Sequence, residues 1–87
     1  MILALIAFIT AINPLSFKSQ YKQDQFVYQT FFKDKRDGIF VDIGAHDGVS
    51  FSNSYFFEKT LGWKGLCIEP IPEVFAQLRS NRDALCI

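Results

Sequence analysis

Asp42, Gly44, Asp47 and Gly48 fall within one short stretch, Ile-Phe-Val-Asp-Ile-Gly-Ala-His-Asp-Gly-Val-Ser-Phe-Ser-Asn, which runs from Ile39 to Asn53. The two glycines let the backbone turn sharply and approach a ligand with no Cβ in the way. The two acids give the same loop a negative charge. Glu69 stands 21 positions beyond Gly48, at the end of the next apolar run. An acid there accepts hydrogen bonds from the two hydroxyls of an adenosine ribose. Residues of these types at this spacing describe a loop that holds a nucleoside-containing cofactor.

The loop's charge separates the candidate cofactors. A dinucleotide sets its pyrophosphate against such a loop, and Asp42 and Asp47 would repel it. The glycines also depart from G-x-G-x-x-G, since only two appear, four positions apart. S-adenosylmethionine has no phosphate and carries a sulfonium and an ammonium, which acids in the loop complement. The charge logic favours the methyl donor over an NAD-binding domain.

The elements that must position these residues can be read in chain order. Ser19–Phe32 reads as a helix opened by Ser19 or Gln20, with Asp24 in its first turns and Phe26, Val27, Tyr28, Phe31 and Phe32 as an apolar stripe for the core. A charged loop, Lys33–Gly38, ends it. Ile39–Ile43, apolar except for Asp42, reads as a buried strand. Ser52 or Asn53 is the expected N-cap of a helix that runs to about Thr60, with Gly62 as its stop. Leu66-Cys67-Ile68-Glu69 reads as a second buried strand. Pro72 suits the first position of the next helix, whose inward face is Val74, Phe75 and Leu78. Asn81 and Asp83 turn the chain, and Ala84–Ile87 begins a third strand. Strands alternating with short helices imply an α/β fold with a parallel sheet and right-handed crossovers. Such a sheet is expected to carry helices on both faces. The pattern stops as the third strand begins, so the chain is expected to be a truncated piece, or to take its missing half from another chain.

With 87 residues, 49% of them apolar and 16% aromatic, the chain has the composition of one small packed domain rather than a disordered one. Nine basic and nine acidic residues cancel. No basic field is present to hold a nucleic-acid backbone, so nucleic acid is not an expected partner. The two cysteines, Cys67 and Cys86, make neither a metal site nor a disulfide framework and read as small buried hydrophobes. The alternative, a pairing between them, would need adjacent strands with facing side chains. Met1–Ile12 is apolar apart from Thr10. At about 12 residues it is shorter than the roughly 20 that cross a bilayer. It suits the apolar region of a signal peptide or an anchor, yet no Lys or Arg precedes it and no small-x-small cleavage site follows. A buried helix or an upstream extension of the reading frame is the alternative. The expected organisation is therefore a hydrophobic segment, 1–16, and a partial domain, 17–87. Localisation stays open between cytoplasmic and, if residues 1–12 act as a signal or anchor, secretory or membrane-associated.

The sequence resembles the FkbM-type methyltransferases, a branch of the class I S-adenosylmethionine-dependent enzymes. The matching residues are Ser19-Gln20 with Gln23-Asp24, then Phe40-Val41-Asp42-Ile43-Gly44-Ala45-His46-Asp47-Gly48. Ser52-Asn53 and Glu58 follow, and then Gly62-Trp63-Lys64-Gly65-Leu66-Cys67-Ile68-Glu69-Pro70. The resemblance implies the N-terminal portion of a Rossmann-like fold. It implies that Asp42 and the backbone from Gly44 through Ala45, His46 and Asp47 to Gly48 hold the methionine part of the cofactor. Glu69 would hold the ribose, Pro70 and Ile71 would lie near the adenine, and Asn53 would cap the helix and face the cleft. The implied reaction is methylation of a hydroxyl oxygen on a sugar or secondary metabolite. The resemblance covers about Ser19 to Ile87, and the family's later strands, which carry the substrate pocket and any general base, are expected to lie outside this stretch.

Three further residue readings accompany this one. His46 either touches the cofactor and moves a proton or simply bonds to the neighbouring aspartates. Trp63 is expected to pack beneath the turn before the second strand, with substrate contact as its alternative. Finally, an incomplete parallel sheet exposes an edge that invites pairing. That allows a different class of function, a non-enzymatic module that self-associates or meets a membrane.

Overall fold

The computed structural model describes residues 17–87. The signal-or-anchor reading of Met1–Ile12 and the proposed 1–16 segment lie outside the described residues. Helices and strands alternate as α1 (Gln23–Phe31), β1 (Ile39–Ile43), α2 (Tyr55–Lys59), β2 (Lys64–Ile68), α3 (Pro72–Asn81) and β3 (Leu85–Cys86). The three strands form one parallel sheet in the order β1-β2-β3. None of these helices is long and apolar enough to cross a membrane.

Register explains the two faces of the sheet. Ile39, Val41 and Ile43 pair with Lys64, Leu66 and Ile68, and Leu66 pairs with Leu85. Strand side chains alternate between faces, so these residues share one side, while Phe40, Asp42, Cys67 and Cys86 share the other. Cys67 and Phe40 meet the helices. Cys67 clusters with Ala45 and Leu78, and Phe40 also touches the cluster of Tyr28, Phe56, Phe57, Leu61 and Trp63. Among the described residues the opposite face is bare: Ile39, Val41 and Ile43 are 82%, 63% and 79% exposed. This corrects the expectation of a buried β1, and among the described residues the second helix layer that such a sheet needs does not cover the other face. The helices that contribute to the core pack against one face, so every second side chain of β1 stays in solvent.

The core beneath the covered face is largely aromatic. Phe56 is fully buried, stacked on Phe17 with ring centroids 4.1 Å apart and edge-on to Tyr28 at 5.0 Å. Trp63 stands 4.8 Å from Phe57 and 5.2 Å from Phe32, and its Nε1 donates to the Lys35 carbonyl. It packs at the turn before β2, as expected. Each such side chain stabilises the fold by about 1.5–3 kcal/mol through burial. The α1 stripe is only partly core. Tyr28 is buried and Val27 and Phe32 pack against the cluster, but Phe26 and Phe31 are exposed. Five apolar side chains over seven positions span more of the helix than one sheet face can cover.

Local signals set the ends of the elements. α1 opens at Gln23, later than the expected Ser19 or Gln20, and its N-cap Lys22 makes no side-chain capping bond. Asp24 N–H donates to Ser19 Oγ, while the N–H groups of Lys18 and Ser19 donate to Asp24 Oδ2. The N-cap of α2 is Ser54, neither of the expected Ser52 and Asn53, and it makes no side-chain capping bond. Ser52 Oγ receives the N–H of Tyr55 and Ser54 from the turn before it. Asn53 does not cap, because its Oδ1 accepts from Ser19 Oγ at 2.6 Å instead. The helix ends at Lys59 with Thr60 as its C-cap, and Gly62 closes the turn that follows, donating its N–H to the Glu58 carbonyl in a left-handed conformation. Pro72 opens α3, as its fixed φ and missing N–H favour.

Candidate functional site

The chain leaves β1 into the loop through two amides that share one acceptor. Gly44 N–H and Ala45 N–H both donate to the Ile68 carbonyl, at 2.8 and 2.9 Å. Gly44 sits at φ 74°, and a Cβ built there would meet nothing within 4 Å. The backbone is therefore bare to solvent at the carboxyl end of β1. His46 follows at φ 55°, a left-handed conformation uncommon outside glycine. That twist turns its N–H onto Glu69 Oε1 at 2.9 Å. The ring itself is exposed, with Nδ1 3.7 Å from Asp47 Oδ1. His46 thus contributes its backbone to the loop and only a loose contact through its side chain.

The three acids hold different stations. Asp42 is half-buried at the end of β1. Its Oδ2 accepts a short hydrogen bond from Ser54 Oγ, and among the described residues it has no ion-pair partner. Asp47 braces the loop internally, accepting from the amides of Val49 and Ser50 and from Ser50 Oγ. Partial burial works against its charge. The Val49 and Ser50 hydrogen bonds and the nearby His46 outweigh that and hold the carboxyl below its ordinary value. Glu69 is buried, with one oxygen on the His46 amide and the other on the Ile71 amide at 3.1 Å. A carboxylate offers about four acceptor positions, so this one ties the loop to the start of α3 and keeps capacity for further donors.

Two cavities open at the carboxyl end of β1. One, of about 360 Å³, is lined by Asp42, Ile43, Gly44, Ala45, His46 and the segment Ser50–Asn53. The other, of about 370 Å³, shares Asp42, Ile43 and Asn53 and runs between α1 and β1 toward Phe57 and Trp63. Asp42, Gly44, Ala45, His46 and Asn53 therefore meet at one cleft. Asp47 and Gly48 instead face α3, where Asn81 Nδ2 donates to the Asp47 carbonyl. Glu69 lies beneath the loop, and Pro70 is exposed beside it. Neither lines either cavity. Among the described residues, no three of His, Cys, Asp and Glu gather to hold a metal ion.

Behind the loop sits a residue that sequence patterns did not single out. The Arg82 side chain is fully buried, with Nε on Glu58 Oε2 at 3.0 Å. Its Nη1 donates to the Gly48 carbonyl and Ser52 Oγ, and its Nη2 to Ser54 Oγ. Glu58 also receives the amides of Asp83 and Ala84. The available signal was Glu58 itself, an acid next to two core aromatics on a short helix. A charge in that position must be paired. Its partner lies 24 positions away, beyond the reach of any helix or strand period.

The model of the methyltransferase FkbM domain matches residues 42–87, just over half of the chain, including Asp42, the glycine loop and Glu69. No curated protein and no solved structure matches the chain significantly.

Proposed function

The chain belongs to the FkbM methyltransferase family, and from that premise we propose that it binds S-adenosylmethionine at the loop after β1, in the service of methyl transfer to a hydroxyl oxygen. The observation that carries this reading is the Asp42–Gly44 pair. An acid without an ion-pair partner among the described residues stands beside backbone that a Cβ would not crowd, on the wall of a cleft of about 360 Å³. A cationic, phosphate-free ligand suits that wall, whereas a pyrophosphate would meet the Asp42 charge.

In this reading Asp42 and the backbone from Gly44 to His46 hold the methionine end, and Asn53 closes the cleft opposite them. Glu69, Pro70 and Ile71 lie outside the cavity lining. In this reading the adenosine end of the ligand extends past the cleft, where Glu69 would offer its remaining lone pairs to the ribose hydroxyls and Pro70 and Ile71 would lie near the base. When bound, the cofactor supplies a methyl group already activated on a sulfonium, so the protein's share of the work is placement. A hydroxyl on a sugar or other small molecule is the acceptor class the reading takes. Further membership in the class I, Rossmann-like group fits the parallel β1-β2-β3 order.

The test is calorimetric titration of the folded chain with S-adenosylhomocysteine. We expect micromolar binding, weakened at least tenfold, or about 1.4 kcal/mol, by Asp42→Asn and by Gly44→Val. A folded sample that binds neither this compound nor S-adenosylmethionine would remove the cofactor from the proposal.

A second reading rests on the bare sheet face. Ile39, Val41 and Ile43 lie side by side in solvent on a strand paired on one edge only among the described residues. Exposed apolar strands of this kind pair or pack with another chain. In this alternative the module self-associates and is indifferent to the cofactor. Size-exclusion chromatography with and without S-adenosylmethionine separates the two readings.

A further inference from the structure

We infer that Arg82 is a positioning residue for the cofactor loop, acting on it at two points. It holds the Gly48 carbonyl directly, and it orients the Asp42 carboxylate through the Ser54 hydroxyl. The inference rests on the cofactor reading above for its ligand, but its geometry stands independently.

Arg82 is placed for this by the end of α3, where its N–H donates to the Leu78 carbonyl. Its guanidinium lies 5.4 Å from the Phe40 ring centroid and 5.8 Å from that of Tyr55, so it is confined by β1 on one side and α2 on the other. Glu58 orients Nε, which leaves Nη1 and Nη2 aimed at the loop. Nη1 reaches the Gly48 carbonyl at 3.1 Å and Nη2 reaches Ser54 Oγ at 3.1 Å. Because Ser54 Oγ accepts from Arg82, its own proton is free to point to Asp42 Oδ2, and the structure has that bond. One oxygen of Asp42 is thereby fixed, and the other makes no hydrogen bond among the described residues, on a side chain that lines the cleft. A planar guanidinium serves all of these acceptors at once, whereas an ammonium reaches only some of them.

A purely structural role would make Arg82 a clamp between α2 and α3, with no link to Asp42. A double-mutant cycle separates the two roles. S-adenosylhomocysteine affinity is measured for the full chain and for Arg82→Lys, Ser54→Ala and Asp42→Asn, singly and combined. Arg82→Lys keeps a cation opposite Glu58, and Ser54→Ala leaves the ion pair untouched, so folded protein is available from at least one of them. Each is expected to weaken binding about tenfold, the size of one lost hydrogen bond to a charged group. In the Asp42→Asn background the Ser54→Ala effect is expected to shrink to less than twofold, and the Arg82→Lys effect to fall to the part that acts through the Gly48 carbonyl. Unchanged affinity in folded Arg82→Lys and Ser54→Ala, or full additivity with Asp42→Asn, would overturn the inference.

Hydrogen exchange without ligand completes the test. In Arg82→Lys the amides of Gly48 to Tyr55 are expected to exchange faster than in the parent, and an unchanged rate would overturn the hold of Arg82 on the loop. If the parent chain binds no cofactor while these amides still loosen in the variant, the proposed function fails and the hold of Arg82 on the loop stands.

Discussion

The side chain of Arg82 occupies the space that a Cβ on Gly48 would need. Such an atom would lie 2.6 Å from Arg82 Cγ and 2.8 Å from Leu78 Cδ1. The loop's two glycines are thus required for different reasons. Gly44 leaves open space at the cleft, and Gly48 makes room for the buried cation that holds the loop from behind.

The two glycines should therefore respond differently to the same substitution. Gly48→Ala combines a left-handed φ of 83° with a clash in packed core and is expected to destabilise the fold by about 2–4 kcal/mol. Gly44→Ala carries only the backbone cost, about 1–2 kcal/mol. Urea denaturation of both variants checks the order, and equal losses would contradict it.

Glu58→Gln should be among the most damaging single changes. It leaves the buried Arg82 charge unpaired, which costs about 3–5 kcal/mol. A small domain has a total stability of about 5–15 kcal/mol, so a substantial drop in the thermal midpoint by circular dichroism is expected. Asp83→Asn, which touches only the exposed Lys59 pair, should change stability by less than about 1 kcal/mol.

Acid should loosen the loop through Asp47. Its carboxyl is held below the ordinary value in the folded state, so its stabilising contribution is present above the unfolded value of about 3.9. That contribution is lost as pH falls through the depressed folded value. Amide exchange of Val49 and Ser50 should accelerate, relative to the intrinsic rate, only below about pH 4. In Asp47→Asn this acid-dependent step should vanish.

The cysteines should behave as core residues toward thiol reagents. Burial pushes the Cys67 thiol up to about 11 and raises that of Cys86 as well. Both are free, and they are register partners on adjacent strands. Alkylation at neutral pH should be slow in the folded protein, slowest at Cys67, and rapid for both in denaturant. Mass spectrometry of the alkylated protein reads this directly.

Much of the frame was legible in the sequence. Pro72 marks a helix start and Gly62 the turn that follows a helix, because proline fixes φ and glycine accepts φ > 0. The alternation of strands and helices, and hence the parallel sheet, follows from short apolar runs separated by turn residues. Less legible were the partners. Ser52 and Asn53 were equal candidates as cap, yet Ser54 takes that position, and only the approach of Ser19 shows that Asn53 is engaged elsewhere. Phe26 and Phe31 looked like core by type, yet whether a helix face is buried depends on what lies opposite it.

By itself, the sequence determined the residue types and spacings that local backbone sterics and side-chain period control: a strand, a glycine turn with acids, and a second strand ending in Glu69. Only the tertiary structure decided that the covered face of the sheet is the one bearing Phe40 and Cys67. It also decided that Glu69 braces the loop through two amides and that Gly48 yields its space to Arg82. The reason is one of range. A turn is set by the few residues that make it, but the pairing of Glu58 with Arg82 across 24 positions exists only once the sheet has brought α2 and the end of α3 together.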